Sequence, residues 1–413
     1  MKKYEITILD NGLKVITSYT PQFEGMHLAL WVKTGARYEN ENELGFSHLF
    51  EHLLFLGNDK YKNKFEISSA VEAKGAKING ATGRDRVYFY IEGAAEYADD
   101  SFDVLSHLIL NPLLKKEDLE KEKQIVLREM DRSKDNPMMW ATRIAYKKNF
   151  EDHPLANDPL GSEETVLAAD IETLKNYHKK VFIPQNSALI VTGGLSHDDA
   201  EKLAKKYLGE WKGQKDNPSE TNIPILPRKK EDNLFEGRDI GETQLRFYYL
   251  TGGVDEEEDN AALEIIASHL GYGMSSLLNQ EIREKRKLTY NISAQIQTFS
   301  DAGLFGIATS TKNPKEMIHA VKEIMEDLEE HLSKQNFGEM KMKLVNFYKT
   351  QNIDPFYITD IGRGFILRDA LHTTEDYISV ISSITEAQLI NAAKKYLSPD
   401  NLLIVALGPE GVK

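Results

Sequence analysis

Apolar and polar positions along this chain follow two rhythms. Short apolar runs at Met26–Lys33, Val87–Glu92 and Leu189–Thr192 predict strands, and so do Gln244–Leu250, Leu304–Thr309 and Leu402–Ala406 further on. The opening Tyr4-Glu-Ile-Thr-Ile-Leu-Asp-Asn11-Gly12-Leu-Lys-Val-Ile16 reads as a strand, an Asn-Gly turn and a second strand. Between these runs apolar residues recur at helical spacing. The helices come in pairs and do not alternate strictly with strands. That pattern predicts an α+β fold, with helices covering a mostly antiparallel sheet.

The two sets of strands look like copies. Lys179, Lys180, Pro184, Asn186 and Gly193 match Lys394, Lys395, Pro399, Asn401 and Gly408 at a constant offset of 215 residues, and Leu174 matches Leu389. Both segments read as a helix end, a Pro/Asn turn and a buried strand. The offset is about half of the 413 residues. Two homologous half-domains are therefore expected, residues 1–211 and 233–413. The stretch 212–232 between them, rich in proline and polar residues, reads as a linker.

Composition narrows the function. The chain is too long for one ordinary core, and with 41% hydrophobic and 28% charged residues it reads as soluble and globular. A net charge of -14 argues against a nucleic-acid partner, which needs a basic stripe. It favours basic ligands weakly. With no cysteine, disulfides and thiolate metal sites are excluded, so any metal must be held by His, Asp or Glu. The first residues lack the apolar centre of a signal peptide. No apolar run approaches the roughly 18 residues of a membrane span. No membrane partner and a cytoplasmic location are expected.

One stretch breaks the pattern. Gly45-Phe-Ser-His-Leu-Phe-Glu-His-Leu-Leu-Phe-Leu-Gly57 is an apolar helix carrying His48, Glu51 and His52. The histidines stand at i and i+4 and share one face, with Glu51 beside them. A lone histidine there would read as a satisfied core residue. Three polar groups buried together are costly unless something pairs them, and a metal does so. Two imidazoles one turn apart can hold one zinc, and the carboxylate can take a proton from an attacking water. The order His-x-x-Glu-His inverts the commoner zincin pattern. Zinc needs a third ligand. Glu122 and Glu129 lie seven residues apart on a predicted helix, with Val126 between them on the same face. Taken alone, that charge-rich helix reads as solvated surface.

Together these motifs resemble the pitrilysin-type zinc peptidases, the group of the insulin-degrading enzyme and mitochondrial processing peptidase. The group's signature is His-x-x-Glu-His, then 76 residues, then Glu, and 76 residues lie between His52 and Glu129. The resemblance implies one Zn2+ per chain on His48, His52 and Glu129. It implies Glu51 as general base and Glu122 as the residue orienting a ligand. Gly75–Thr82 resembles the group's Gly-Gly-x-x-Asn-Ala-x-Thr, with Ala76 and Gly80 as departures, and implies that Asn79 holds substrate backbone. Gly271–Tyr290 resembles a glycine-rich turn, a helix, and an Arg/Tyr pair seven apart. It implies that Arg283 and Tyr290 face the zinc from the second half-domain. Arg286 is the alternative arginine, and Lys287 stands where the group usually has Gly. At the repeat offset His48, Glu51 and His52 map to Leu263, Ile266 and Ala267, so the second half is expected to support, not bind zinc.

The function so implied is a zinc endopeptidase acting on unfolded peptides. Glu51 would move the proton, and Arg283 and Tyr290 would donate hydrogen bonds to the developing oxyanion. The peptide would add as an extended strand to a sheet edge. Full-length relatives enclose a chamber with four such domains. The resemblance therefore implies a homodimer, or a heterodimer with a degenerate homologue, in which the first domain of one chain faces the second of the other. Two rivals stand beside this reading. A non-catalytic peptide-binding or assembly subunit is disfavoured by the intact His48, Glu51, His52 and Glu129. A zinc hydrolase for non-peptide substrates is disfavoured by the Asn79 segment and the Arg283/Tyr290 pair.

Overall fold

A computed structural model describes residues 4–213, 233–351 and 370–409, with Gly362, Gly364, Phe365 and Arg368 between the last two. The expected linker, apart from Lys212 and Gly213, lies outside the described residues. The chain forms two compact units. The first contains Met1–Asp131, Asn157–Thr221 and Asn352–Leu371; the second contains Arg132–Ala156, Asn222–Gln351 and His372–Lys413. Each is thus assembled from separated pieces of chain, whereas the sequence suggested one cut. Among the described residues no helix is long and apolar enough to cross a membrane.

The first unit holds a six-stranded sheet in the order β1-β2-β6-β3-β5-β4. Its strands are β1 (Tyr4–Ile8), β2 (Lys14–Tyr19), β3 (Gly25–Val32), β4 (Lys77–Thr82), β5 (Val87–Ala94) and β6 (Ser187–Gly193). The β1–β2 hairpin turns at Gly12, whose φ of 90° suits glycine. All pairings are antiparallel except β2 with β6. Alternate residues of β3 (Met26, Leu28, Leu30 and Val32) join the helices in one buried core. Those helices include α1 (Phe46–Leu54), α2 (Lys64–Glu72), α3 (Ala98–Leu110) and the long α4 (Lys116–Asp135). The opposite face carries Trp31, stacked on Tyr88 at 4.4 Å, with Phe365 packed in the same cluster.

The second unit repeats this plan. Its helices begin with α5 (Pro137–Phe150), contributed by the first half of the sequence. Two further helices, α6 (Glu163–Ala168) and α7 (Ile171–Val181), and then α8 (His197–Leu208), return to the first unit. The second sheet has the order β7-β11-β8-β10-β9, built from β7 (Leu234–Gly237), β8 (Thr243–Thr251), β9 (Ile292–Thr298), β10 (Gly303–Thr311) and β11 (Leu402–Gly408). Here β11 pairs parallel to β7 and antiparallel to β8, as β6 does with β2 and β3.

The repeated asparagines have one job. Asn186 Nδ2 donates to the carbonyls of Val181 and Lys33, and Asn401 Nδ2 donates to those of Tyr396 and Leu250. In each case one side chain ties a helix end to the neighbouring strand. The preceding helices, α7 and Glu386–Tyr396, both start with a capping box, from Asp170 and Thr385. The second sheet is likewise covered on both faces. α9 (Glu257–Gly271) joins Phe247 and Tyr249 on one side. On the other, α5 buries Ala145, Tyr146 and Phe150 against Tyr248, Leu304 and Val405. Three strands escape the sequence pattern: β4, β7 and β9. β7 is only four residues long, and all three lie at sheet edges, as does β1, which its Asn-Gly turn made legible.

Candidate metal centre

α1 begins at Gly45, whose φ of 89° is left-handed and whose added Cβ would meet the Leu160 carbonyl at 2.8 Å. Glycine cannot cap the helix itself, so a distant residue does. Glu39 accepts hydrogen bonds from the backbone N–H groups of Gly45 and Ser47, both at 2.7 Å. Burial pushes the Glu39 carboxyl up to about 7, against the lowering by those hydrogen bonds. Ser47 and Thr34 both share hydrogen bonds with the Tyr177 hydroxyl beneath the same turn. Phe46, Leu49, Phe50, Leu53 and Leu54 fill the core faces of α1. That leaves His48, Glu51 and His52 on its remaining face.

α4 supplies the third group. Leu119, Val126 and Met130 bury one side of it, and Glu122 and Glu129 are carried on that side two turns apart. Glu129 Oε2 lies 3.5 Å from His48 Nε2 and 3.6 Å from His52 Nε2. Ligand atoms around a tetrahedral zinc at roughly 2.1 Å stand about 3.4 Å apart. Among the described residues this is the one group of three or more His, Cys, Asp or Glu whose ligand atoms fall within 4.8 Å of one another.

Glu122 settles the tautomer. His52 Nδ1 is 2.8 Å from Glu122 Oε2. A carboxylate only accepts, so the proton sits on Nδ1 and the Nε2 lone pair faces Glu129. Burial disfavours the charged form of His52, but the hydrogen bond to Glu122 and the charges of Glu129, Glu122 and Glu51 outweigh it and raise its pKa. Burial, with His52 alongside, holds His48 down at about 4, so it is neutral at neutral pH. Two neutral-capable imidazoles and a carboxylate form the donor set of a catalytic zinc site, which leaves a fourth position open. The residues present fit the ion.

Glu51 sits beside this group and faces β4. Its Oε2 accepts a 2.6 Å hydrogen bond from the Thr82 hydroxyl. Burial raises the Glu51 pKa, while Thr82 and His52 oppose the shift. Asn79, two residues from Ala81 on the other face of β4, accepts from its own neighbour's N–H, that of Gly80. It therefore lies on the edge strand but does not share the Glu51 face. Thr82 and Glu39 are the two residues sequence reading left out of the site.

Residues 14–162 match the family model Insulinase (Peptidase family M16), and residues 168–344 match the Peptidase M16 inactive domain. The chain belongs to peptidase family M16. A Rickettsia felis protein named "uncharacterized zinc protease" is 29% identical over 404 residues, covering 96% of each chain. A Helicobacter pylori protease of solved structure superposes with a TM-score of 0.91 at 19% identity, covering 99% of this chain and all of that one. A peptidase M16 inactive domain from Pseudomonas fluorescens gives 0.86 at 21% identity, covering 98% of each. At those identities the two structures show the fold.

The second M16 unit carries no metal group among its described residues. Leu263, Ile266 and Ala267, at the repeat offset from the metal helix, are buried in α9. Arg283 and Tyr290 line one open depression of about 450 Å³ together with Lys287 and Lys312. Arg286 instead pairs with Glu323 on α10 (Pro314–Glu326) at 3.0 Å. Arg283 for its part pairs with Glu284 at 3.6 Å. It lies in a π-helical segment, Asn279–Lys285, and contacts Met274 Sδ in the glycine-rich turn. Tyr290 is 88% exposed. Lys287 has a φ of 56°, the conformation glycine adopts without strain.

Proposed function

We propose that this M16 protein is a zinc-dependent endopeptidase that hydrolyses unfolded peptides. The observation that supports it most is the convergence of His48, His52 and Glu129 with Glu51 alongside. When bound, zinc acidifies a water and polarises the scissile carbonyl. Glu51 accepts the proton of the attacking water and passes it to the leaving amine. Glu122 holds His52 in the ligating tautomer. Arg283 and Tyr290 donate hydrogen bonds to the carbonyl oxygen as charge develops on it. The peptide adds to β4, an edge strand of its sheet, with Asn79 contacting its backbone. The working form is a dimer, a homodimer in the simplest case, with each site completed by the partner's second unit.

Elemental analysis and a quenched-peptide library test the reading together. The wild type should hold one zinc per chain and cut peptides. His48→Ala and Glu129→Gln should lose the metal. Glu51→Gln should keep it and lose roughly 10²–10⁴-fold in rate, because an amide cannot take the proton. Equal zinc in the wild type and His48→Ala, or near-normal turnover by Glu51→Gln, would overturn the assignment. A zinc-loaded wild type that binds peptides without cutting them would make the protein a binding subunit.

A further inference from the structure

The general base assigned above has two oxygens, and the structure treats them differently. Glu51 projects from α1 onto β4, where Gly80 and Thr82 point to the same face at the period of two. A Cβ at Gly80 would stand 3.2 Å from Glu51 Cγ, 3.2 Å from Phe55 and 3.0 Å from Phe89. The shaft of Glu51 therefore lies closely over a position with no side chain. Its head is then met by the Thr82 hydroxyl, which donates to Oε2 at 2.6 Å. A threonine hydroxyl has one proton to give. It takes one of the two lone pairs of Oε2, and among the described residues Oε1 accepts no hydrogen bond. Thr82 ends the pairing of β4 with β5, opposite Val87, on the outermost strand of the sheet.

We propose that Thr82 is the positioning residue for the base. Its hydroxyl fixes Oε2 so that Oε1 alone is presented to the attacking water, and the edge strand that receives the peptide thereby sets the orientation of the base. The inference rests on Glu51 being the base. It adds a link between filling the edge of β4 and readiness for proton transfer. A carboxylate free to rotate spends part of its time with neither oxygen aimed correctly, and small misplacements of a reacting group are expensive in rate.

Thr82→Val keeps the shape and removes the hydroxyl, whereas Thr82→Ser keeps the hydroxyl and removes a methyl. Both are assayed on the zinc-loaded protein for kcat, KM and zinc content. Thr82→Val should lose roughly 10- to 100-fold in kcat, with KM and zinc content changed by less than about threefold. Thr82→Ser should recover most of that loss. Crystal structures of both metal-free variants add a readout independent of activity: one Glu51 side-chain orientation with serine, more than one with valine. Full kcat in Thr82→Val, a serine variant as slow as the valine one, or a single unchanged Glu51 orientation in both would each overturn the proposal. Glu51→Gln separates the two levels. If Glu51→Gln is inactive while Thr82→Val is fully active, the peptidase reading stands and Thr82 falls. If Glu51→Gln is as active as wild type, both fall.

Discussion

Two residues sit at odds with their surroundings, and each makes a measurable prediction. Lys287 holds a left-handed backbone between Arg283 and Tyr290. A Cβ there costs about 1–2 kcal/mol, and glycine gives back part of that gain as chain entropy. Lys287→Gly should therefore stabilise the protein by roughly 0.5–1 kcal/mol, read as a higher denaturant midpoint at unchanged slope. No gain would mean that the lysine side chain contributes a compensating contact. His178 on α7 is the second case. Its Nε2–H donates to the Ile109 carbonyl, and its ring stacks on Phe50 of the metal helix at 5.0 Å. Burial holds it down at about 4, below its ordinary 6.5, with the Ile109 hydrogen bond opposing and Lys179 adding to the shift. A folded pKa below the unfolded one means that the unfolded chain binds the extra proton first. The stability from neutral His178 is thus full above about pH 6.5 and is lost as pH falls through about 4, a change of about 3 kcal/mol. His178→Gln keeps a donor but does not titrate. Between pH 7 and 4 the wild type should lose about 3 kcal/mol more than this variant in urea unfolding. Parallel curves would show that His178 titrates alike in both states.

At the scale of the element, α1 is an unusual helix. It starts on a glycine that offers no side-chain cap, and its partly exposed residues are the two metal-group histidines and Glu51 beside them. The N–H groups of Gly45 and Ser47 are satisfied by Glu39, six residues before Gly45, and Ser47 is tied to Tyr177 of α7. The position of the two histidines is therefore fixed from outside the helix. Glu39→Gln places an amide N–H₂ against a backbone N–H and loses at least one buried hydrogen bond, worth about 1–3 kcal/mol. The expected outcome is a loss of that size in unfolding free energy, together with weaker zinc retention on dialysis against a chelator. A destabilised variant that retains zinc as the wild type does would separate the cap from the metal site. In the second unit α5 is held in the same external way. Arg246 reaches the Met138 carbonyl and the Thr142 hydroxyl, and Trp140 donates to Glu236.

At the scale of the whole molecule, the proposed function requires two units to act together, because the metal group belongs to the first and the Arg283/Tyr290 pair to the second. If completion occurs between chains, two inactive variants should rescue each other. Glu51→Gln and Tyr290→Phe, mixed under verified subunit exchange, would form heterodimers with one doubly defective site and one intact site. Activity should return to roughly a quarter of wild type for random closed two-fold pairing. No recovery, or full activity at dilutions where the protein is monomeric, would reject completion between chains. An enclosed site also predicts that unfolded peptides are cut and stable folded proteins spared, read by gel after equal digestion.

Much of this was written locally in the sequence. The i, i+4 spacing of His48 and His52 dictates a shared helix face whatever the rest of the chain does. The 215-residue offset of the Pro/Asn turns signalled two similar halves, because each turn is a self-contained helix-to-strand junction. Central strands such as Met26–Lys33 were legible because both of their faces are buried. Of the edge strands, β1 was legible through the Asn-Gly turn that joins it to β2, while β4, with Asn79 and Gly80 at its centre, has no unbroken apolar run to betray it. The Glu129 assignment came from resemblance, as its own helix reads as solvated surface. What tertiary structure alone decided is which distant groups meet: Glu39 under the start of α1, Thr82 against Glu51, Glu323 against Arg286. Such contacts join residues with no common local period. Their positions follow from how whole faces of helices and sheets pack, and no spacing in the chain encodes that.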